Sequence, residues 1–85
     1  MKNKYLVTFI FPNIEEEFDA YIPNNKKLGT VKKKILDIIT ENSSYVFNKN
    51  FEFLKFIDRD NGVEFENNVY IKDTGIKNGS KIIVL

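Results

Sequence analysis

Apolar and polar positions alternate in two different periods along the chain. Tyr5-Leu6-Val7-Thr8-Phe9-Ile10-Phe11 is rich in β-branched and aromatic residues and stops at Pro12, which reads as a strand apolar on both faces. Pro12-Asn13 with Glu15 and Glu16 makes a turn, and Glu17 to Ile22 alternates as a half-buried strand with Phe18, Ala20 and Ile22 inward. Pro23-Asn24-Asn25 breaks it. The period then changes. Leu28, Val31, Ile35 and Ile38 recur at helical spacing, widened by Leu36 and Ile39, which predicts one helix from Lys27 or Leu28 to about Asn42. Thr30 could cap a later start, but that would orphan Leu28 from the stripe.

After the helix, Ser43 to Asn50 reads as a polar loop carrying Val46 and Phe47, long for so small a chain. Glu52 to Ile57 reads as a third strand, Asp58-Arg59-Asp60-Asn61-Gly62 as a hairpin turn, and Val63 to Phe65 as a short fourth strand. Glu66 to Gly75 is irregular, with Ile71 and Ile76 as plugs under a sheet. Asn78-Gly79 turns the chain into Lys81-Ile82-Ile83-Val84-Leu85, a last strand apolar on both faces. The order is strand, strand, helix, hairpin, strand. Two doubly apolar strands belong side by side in the middle of one sheet, and one helix covers one of its faces. The fold class is α+β, with a mixed four- to five-stranded sheet on one α-helix, over a single domain spanning 1–85.

Composition narrows the chemistry. At 85 residues the chain buries only about 60–65% of its unfolded surface. Eight Phe and four Tyr enlarge that small core, and with no Cys no disulfide supplements it. The absence of His and Cys removes the usual general base, thiol nucleophile and soft metal ligands, so neither an enzyme nor a cofactor is expected. Asp58-x-Asp60-x-Gly62 departs from a calcium loop in the place of its Gly and reads as turn chemistry. A net charge of +1 gives no long-range field toward nucleic acid. Lys26, Lys27, Lys32, Lys33 and Lys34 read as a solvated helix face; an acidic protein surface is the alternative contact, and without Arg or interleaved aromatics nucleic acid is not expected. No apolar run approaches the ~20 residues that span a bilayer, and none has the cleavage region of a signal peptide, so a cytoplasmic chain is expected.

These elements resemble the β-grasp of the ubiquitin-like superfamily. The resemblance rests on the step from Ile22 to the helical stripe at Val31 and on the closing run Ile71-Lys72-Asp73-Thr74-Gly75-Ile76-Lys77-Asn78-Gly79-Ser80 with its alternating last strand. Within the superfamily the chain looks most like the small bacterial YukD/EsaB proteins of type VII (WXG100) secretion loci. It does so through Val31-Lys32-Lys33, the long loop before the third strand, Phe53 to Ile57 followed by Asp58-Arg59-Asp60, and Asp73-x-Gly75-Ile76-x-Asn78-Gly79 ahead of the last strand. That resemblance implies an accessory or regulatory cytosolic role and docking on membrane-anchored secretion subunits. Modifiers and sulfur carriers of the superfamily need a terminal Gly-Gly; the sequence ends in Ile83-Val84-Leu85, so a non-conjugating protein is expected. A generic ubiquitin-like adaptor is the alternative, as is a sulfur carrier if the native terminus carries Gly-Gly.

Strand parity leaves one face of the sheet bare. With Val7, Phe9, Phe11, Leu54, Phe56, Ile82 and Val84 turned to the helix, the opposite parity collects Leu6, Ile10, Phe53, Ile57, Ile83 and Leu85. A patch of this kind marks a contact surface, and the same face serves as the common partner-binding surface of the resembled superfamily. These six are the predicted anchors for a protein partner, or for a second copy of the chain.

Overall fold

The computed structural model describes residues 2–42 and 53–85. Four strands form one mixed sheet: β1 (Lys4–Phe11), β2 (Glu16–Pro23), β3 (Phe56–Asp58) and β4 (Lys81–Val84), in the order β2-β1-β4-β3. β1 and β4 run parallel in the middle, and β2 and β3 are antiparallel at the edges. The helix α1 (Leu28–Asn42) supplies the crossover between the two halves. The doubly apolar strands are therefore the two central ones, as their composition requires.

One core lies between sheet and helix. Val7, Phe9 and Phe11 of β1, Ile22 of β2, Phe56 of β3 and Ile82 and Val84 of β4 meet Leu28, Val31, Ile35 and Ile39 of α1, and Leu54, Ile71 and Ile76 close its ends. The ring of Phe9 lies 5.8 Å from Phe18 and 5.6 Å from Phe56, and Phe11 stacks on Phe18 at 5.7 Å, so one aromatic row crosses from β2 to β3.

The start of α1 carries no side-chain cap signal because its first donors are satisfied from a distance. The Leu28 and Gly29 amides donate to the carbonyls of Val69 and Asn67, at 2.9 and 3.0 Å. That segment also sends the Ile71 and Lys72 amides to the carbonyls of Lys26 and Asn24, binding the β2–α1 connection to the chain ahead of β4. A one-turn 3-10 helix at Ile71–Asp73 then buries Ile71.

Two predicted strands are shorter than their patterns. The third is confined to Phe56–Asp58; Lys55 exchanges two backbone hydrogen bonds with Leu85 just outside it, and Glu52 lies outside the described residues. The fourth, Val63 to Phe65, reduces to a single bridge between Glu64 and Ile57. Alternation is a local property, whereas strand length is set by a neighbour with free backbone groups, and β4 offers β3 only a short edge. The loop predicted over 43–50, with Val46 and Phe47, also lies outside the described residues.

The turn chemistry holds. The Asp58 amide donates to the Val63 carbonyl at 2.9 Å, the Asp58 carboxylate accepts from the Asp60 amide, and Gly62 adopts φ 74°. Before β4, Gly79 adopts φ 86°, its amide donates to Leu6, and the Asn78 side chain accepts from the Leu6 amide at 2.8 Å. A Cβ at Gly79 would meet nothing within 4 Å, so the backbone alone decides the effect of adding one. Gly79→Ala is expected to cost about 1–2 kcal/mol, the usual penalty of a left-handed L-residue, read as a lower urea midpoint with unchanged slope.

Candidate protein-interaction face

The register of the sheet sorts the outer-face side chains into rows. Ile10 of β1 stands beside Ile83 of β4, and Ile83 beside Ile57 of β3, so three isoleucines cross three strands in one line about 10 Å long. All three are partly exposed. Leu85, two positions after Ile83 and on the same face, lies beside this row and is also partly exposed. Leu6 is 37% exposed and stands directly across from Tyr21 of β2, which is 50% exposed. Between these two groups runs a polar belt, Asp19–Thr8–Lys81, in which the Thr8 hydroxyl donates to Asp19 at 2.6 Å. Phe53 lies outside β3 and is 69% exposed.

The six predicted residues thus fall into parts: Ile10, Ile57, Ile83 and Leu85 in one strip, Leu6 in a second cluster, and Phe53 beyond the sheet. Tyr21 joins Leu6, and the alternation of β2 already carried that signal, since Phe18, Ala20 and Ile22 turned inward leave Tyr21 outward. Nothing polar interrupts the isoleucine row itself.

One lysine of the run does not lie on the solvated helix face that its neighbours share. Lys32 is only 1% exposed, and its ammonium group donates to the Leu54 carbonyl at 2.5 Å and lies 5.4 Å from the centre of the Phe56 ring. It is a core residue and no part of a solvated basic face, whereas Lys26, Lys27, Lys33 and Lys34 are exposed. The reason is packing: the aliphatic stem fills space between α1 and β3, and the amine meets a backbone oxygen and an aromatic face at its tip. Burial pushes its pKa below the usual lysine value, and the charge of Glu64 opposes that shift. Lys32 also lines a cavity of about 350 Å³ with Glu64, Phe65, Glu66 and Asn67. Among the described residues no group of three or more acidic side chains is placed to hold a metal ion.

No protein-family model matches the chain, and no curated protein sequence does. Solved structures do. The ubiquitin-like domain of an Arabidopsis thaliana protein superposes with a TM-score of 0.72 at 20% identity, over 98% of this chain and 77% of that one. The fold is the ubiquitin-like β-grasp. Caldiarchaeum subterraneum ubiquitin gives a TM-score of 0.71 at 10% identity, over 95% of this chain and 90% of its own. ATBAG1, solved in complex with HSP70, gives 0.68 at 16% identity, with 95% of this chain covering 39% of that one. At such identities the β-grasp carries across and the activities of those proteins do not.

Proposed function

We propose that the protein is a binding module that recognises another protein through the outer face of its sheet. The observation that carries this is the unbroken row Ile10–Ile83–Ile57 on the face opposite α1, where no described element covers it. A single sheet with a helix on one side has a second apolar surface to satisfy, and a partner is the economical way to satisfy it. Leu85 widens the strip, Phe53 stands exposed beyond the sheet, and Leu6 with Tyr21 offers a second anchor beyond the polar belt. The role is recognition rather than catalysis. ATBAG1, a neighbour of this fold, is likewise a protein solved with a protein partner.

The finer reading draws on the resemblance of Val31-Lys32-Lys33, the long loop before the third strand, Phe53 to Asp60 and Asp73 to Gly79 to the YukD/EsaB proteins. It makes the chain a cytosolic accessory or regulatory component of a bacterial type VII secretion system, docked on membrane-anchored subunits. No described helix is long and apolar enough to cross a membrane.

Photo-crosslinking in the native host tests both levels. A photoreactive residue at Ile83 should yield adducts with membrane-anchored secretion subunits, and one at the exposed helix position Asp37 should not. Adding Phe53→Glu and Ile57→Glu to the Ile83 probe should abolish those adducts while leaving the melting temperature within a few degrees. Crosslinking from Asp37 alone would sink the sheet-face reading; adducts from Ile83 to unrelated soluble proteins would retain the face and remove the secretion role.

A further inference from the structure

The cavity of about 350 Å³ beside Lys32 lies on the helix side of the sheet, and recognition through the outer face makes no use of it. Of its five lining residues, Glu64 and Glu66 are exposed, Phe65 and Asn67 are half-buried, and Lys32 is 1% exposed. The two carboxylates therefore stand at the mouth and the lysine at the inner end. A space of this size takes a small organic molecule and far exceeds what one water needs.

The inner end holds an amine in a fixed place. Lys32 Nζ donates to the Leu54 carbonyl at 2.5 Å and lies 5.4 Å from the centre of the Phe56 ring. That hydrogen bond uses one N–H, so an unprotonated amine keeps its lone pair for an incoming electrophile. Burial favours the unprotonated form, and the charge of Glu64 opposes it. A desolvated lysine of this kind is the usual partner of a carbonyl compound. Lys33 and Lys34, next along α1, are exposed and line no part of the cavity.

The walls choose between electrophiles. Carbon dioxide would leave a carbamate anion beside Glu64 and Glu66, where like charge opposes it. An aldehyde leaves an imine, and its protonated form is a cation that the same carboxylates favour. The N–H of that cation still serves the Leu54 carbonyl, and its charge keeps the aromatic face of Phe56.

We propose that the Lys32 amine captures a small aldehyde, uncharged or cationic, in this cavity. The amine nitrogen attacks the carbonyl carbon, the carbonyl oxygen leaves as water with the two amine hydrogens, and the imine nitrogen takes a proton from solvent. The body of the aldehyde lies against Phe65.

Benzaldehyde with cyanoborohydride at neutral pH is the probe. Hydride from the reductant adds to the imine carbon and fixes a secondary amine, which peptide mapping by mass spectrometry locates. Lys32 should carry more label than Lys33 and Lys34, the reverse of the order that exposure sets, and its lead should vanish in guanidinium chloride. 4-Carboxybenzaldehyde should label Lys32 several-fold less than benzaldehyde does, measured against Lys33 and Lys34 in the same sample. Glu64→Gln with Glu66→Gln should erase that difference. A Lys32 share no larger than that of its exposed neighbours, or equal labelling by the two aldehydes, would overturn the assignment. A carbamate signal from labelled bicarbonate that Lys32→Met removes would overturn the choice of aldehyde.

Discussion

Phe9→Ala is expected to destabilise the chain by about 3–5 kcal/mol. Phe9 is fully buried at the centre of β1, between β2 and β4, and its ring bridges Phe18 on one edge strand and Phe56 on the other. Truncating a buried phenylalanine costs about 3–5 kcal/mol, because the lost transfer free energy is joined by the cavity left behind. A chain of 85 residues has a total stability of roughly 4–13 kcal/mol. The substitution therefore removes a large share of it, with no disulfide to hold the remainder. Thermal unfolding followed by circular dichroism should show the midpoint falling by about 15–35 °C. Phe9→Leu, which keeps most of the volume, should cost well under half as much. A Phe9→Ala midpoint within about 5 °C of the parent would mean that the aromatic row is not the centre of the core.

The legibility of this centre explains which parts of the fold sequence could reach. Strands apolar on both faces had to be central, and the helical period had to cover one side of them; both statements depend only on residues near in sequence. The limits of β3 depend on how many rungs β4 offers, and the start of α1 depends on carbonyls at Asn67 and Val69, some forty residues downstream. Neither is written locally. The outer face is a mixed case. Parity alone groups Leu6, Ile10, Phe53, Ile57, Ile83 and Leu85, but only the register shows that Ile10, Ile83 and Ile57 share a row and that Thr8, Asp19 and Lys81 separate them from Leu6.

Lys32 differs, because local geometry did hold the signal. At about 100° per residue, position 32 lies roughly 40° from Leu28 around the helix, nearer the middle of the apolar stripe than Ile38 on the other flank. Sorting by residue type grouped it with Lys33 and Lys34, and sorting by angle places it in the core. A lysine at an apolar angle is accommodated when its stem packs and its amine finds an acceptor. Here the acceptor is the Leu54 carbonyl, and the contact ties α1 to the entry of β3 and so to the strand that carries Ile57.

Two substitutions should therefore separate what the Lys32 stem does from what its charge does. Lys32→Ala removes the packed stem and leaves a buried carbonyl without its donor, a loss of about 2–4 kcal/mol from the cavity and the orphaned acceptor together. Lys32→Met keeps most of the volume. It too orphans the Leu54 carbonyl, but it no longer places an ammonium group in the core, so its net effect at neutral pH should lie within about 1–2 kcal/mol of the parent. The difference between the parent and Lys32→Met should also depend on pH in one direction only. Burial lowers the Lys32 pKa in the folded state below its unfolded value of 10.5. Between the two values the unfolded chain binds more protons, so the parent gains stability relative to Lys32→Met as pH rises through the alkaline window beneath 10.5, and the penalty for burying the charge is fully present below that window. Every other side chain is common to the two proteins, so the difference isolates Lys32. Glu64→Gln, which removes the charge that opposes the shift, should move the onset of this gain to lower pH. Urea midpoints taken from pH 7 to pH 11 measure all of it. A parent-minus-Met difference that stays flat, or that falls as pH rises, would show that the buried amine carries no desolvation penalty, and equal losses for Ala and Met would show that the stem contributes nothing to the core.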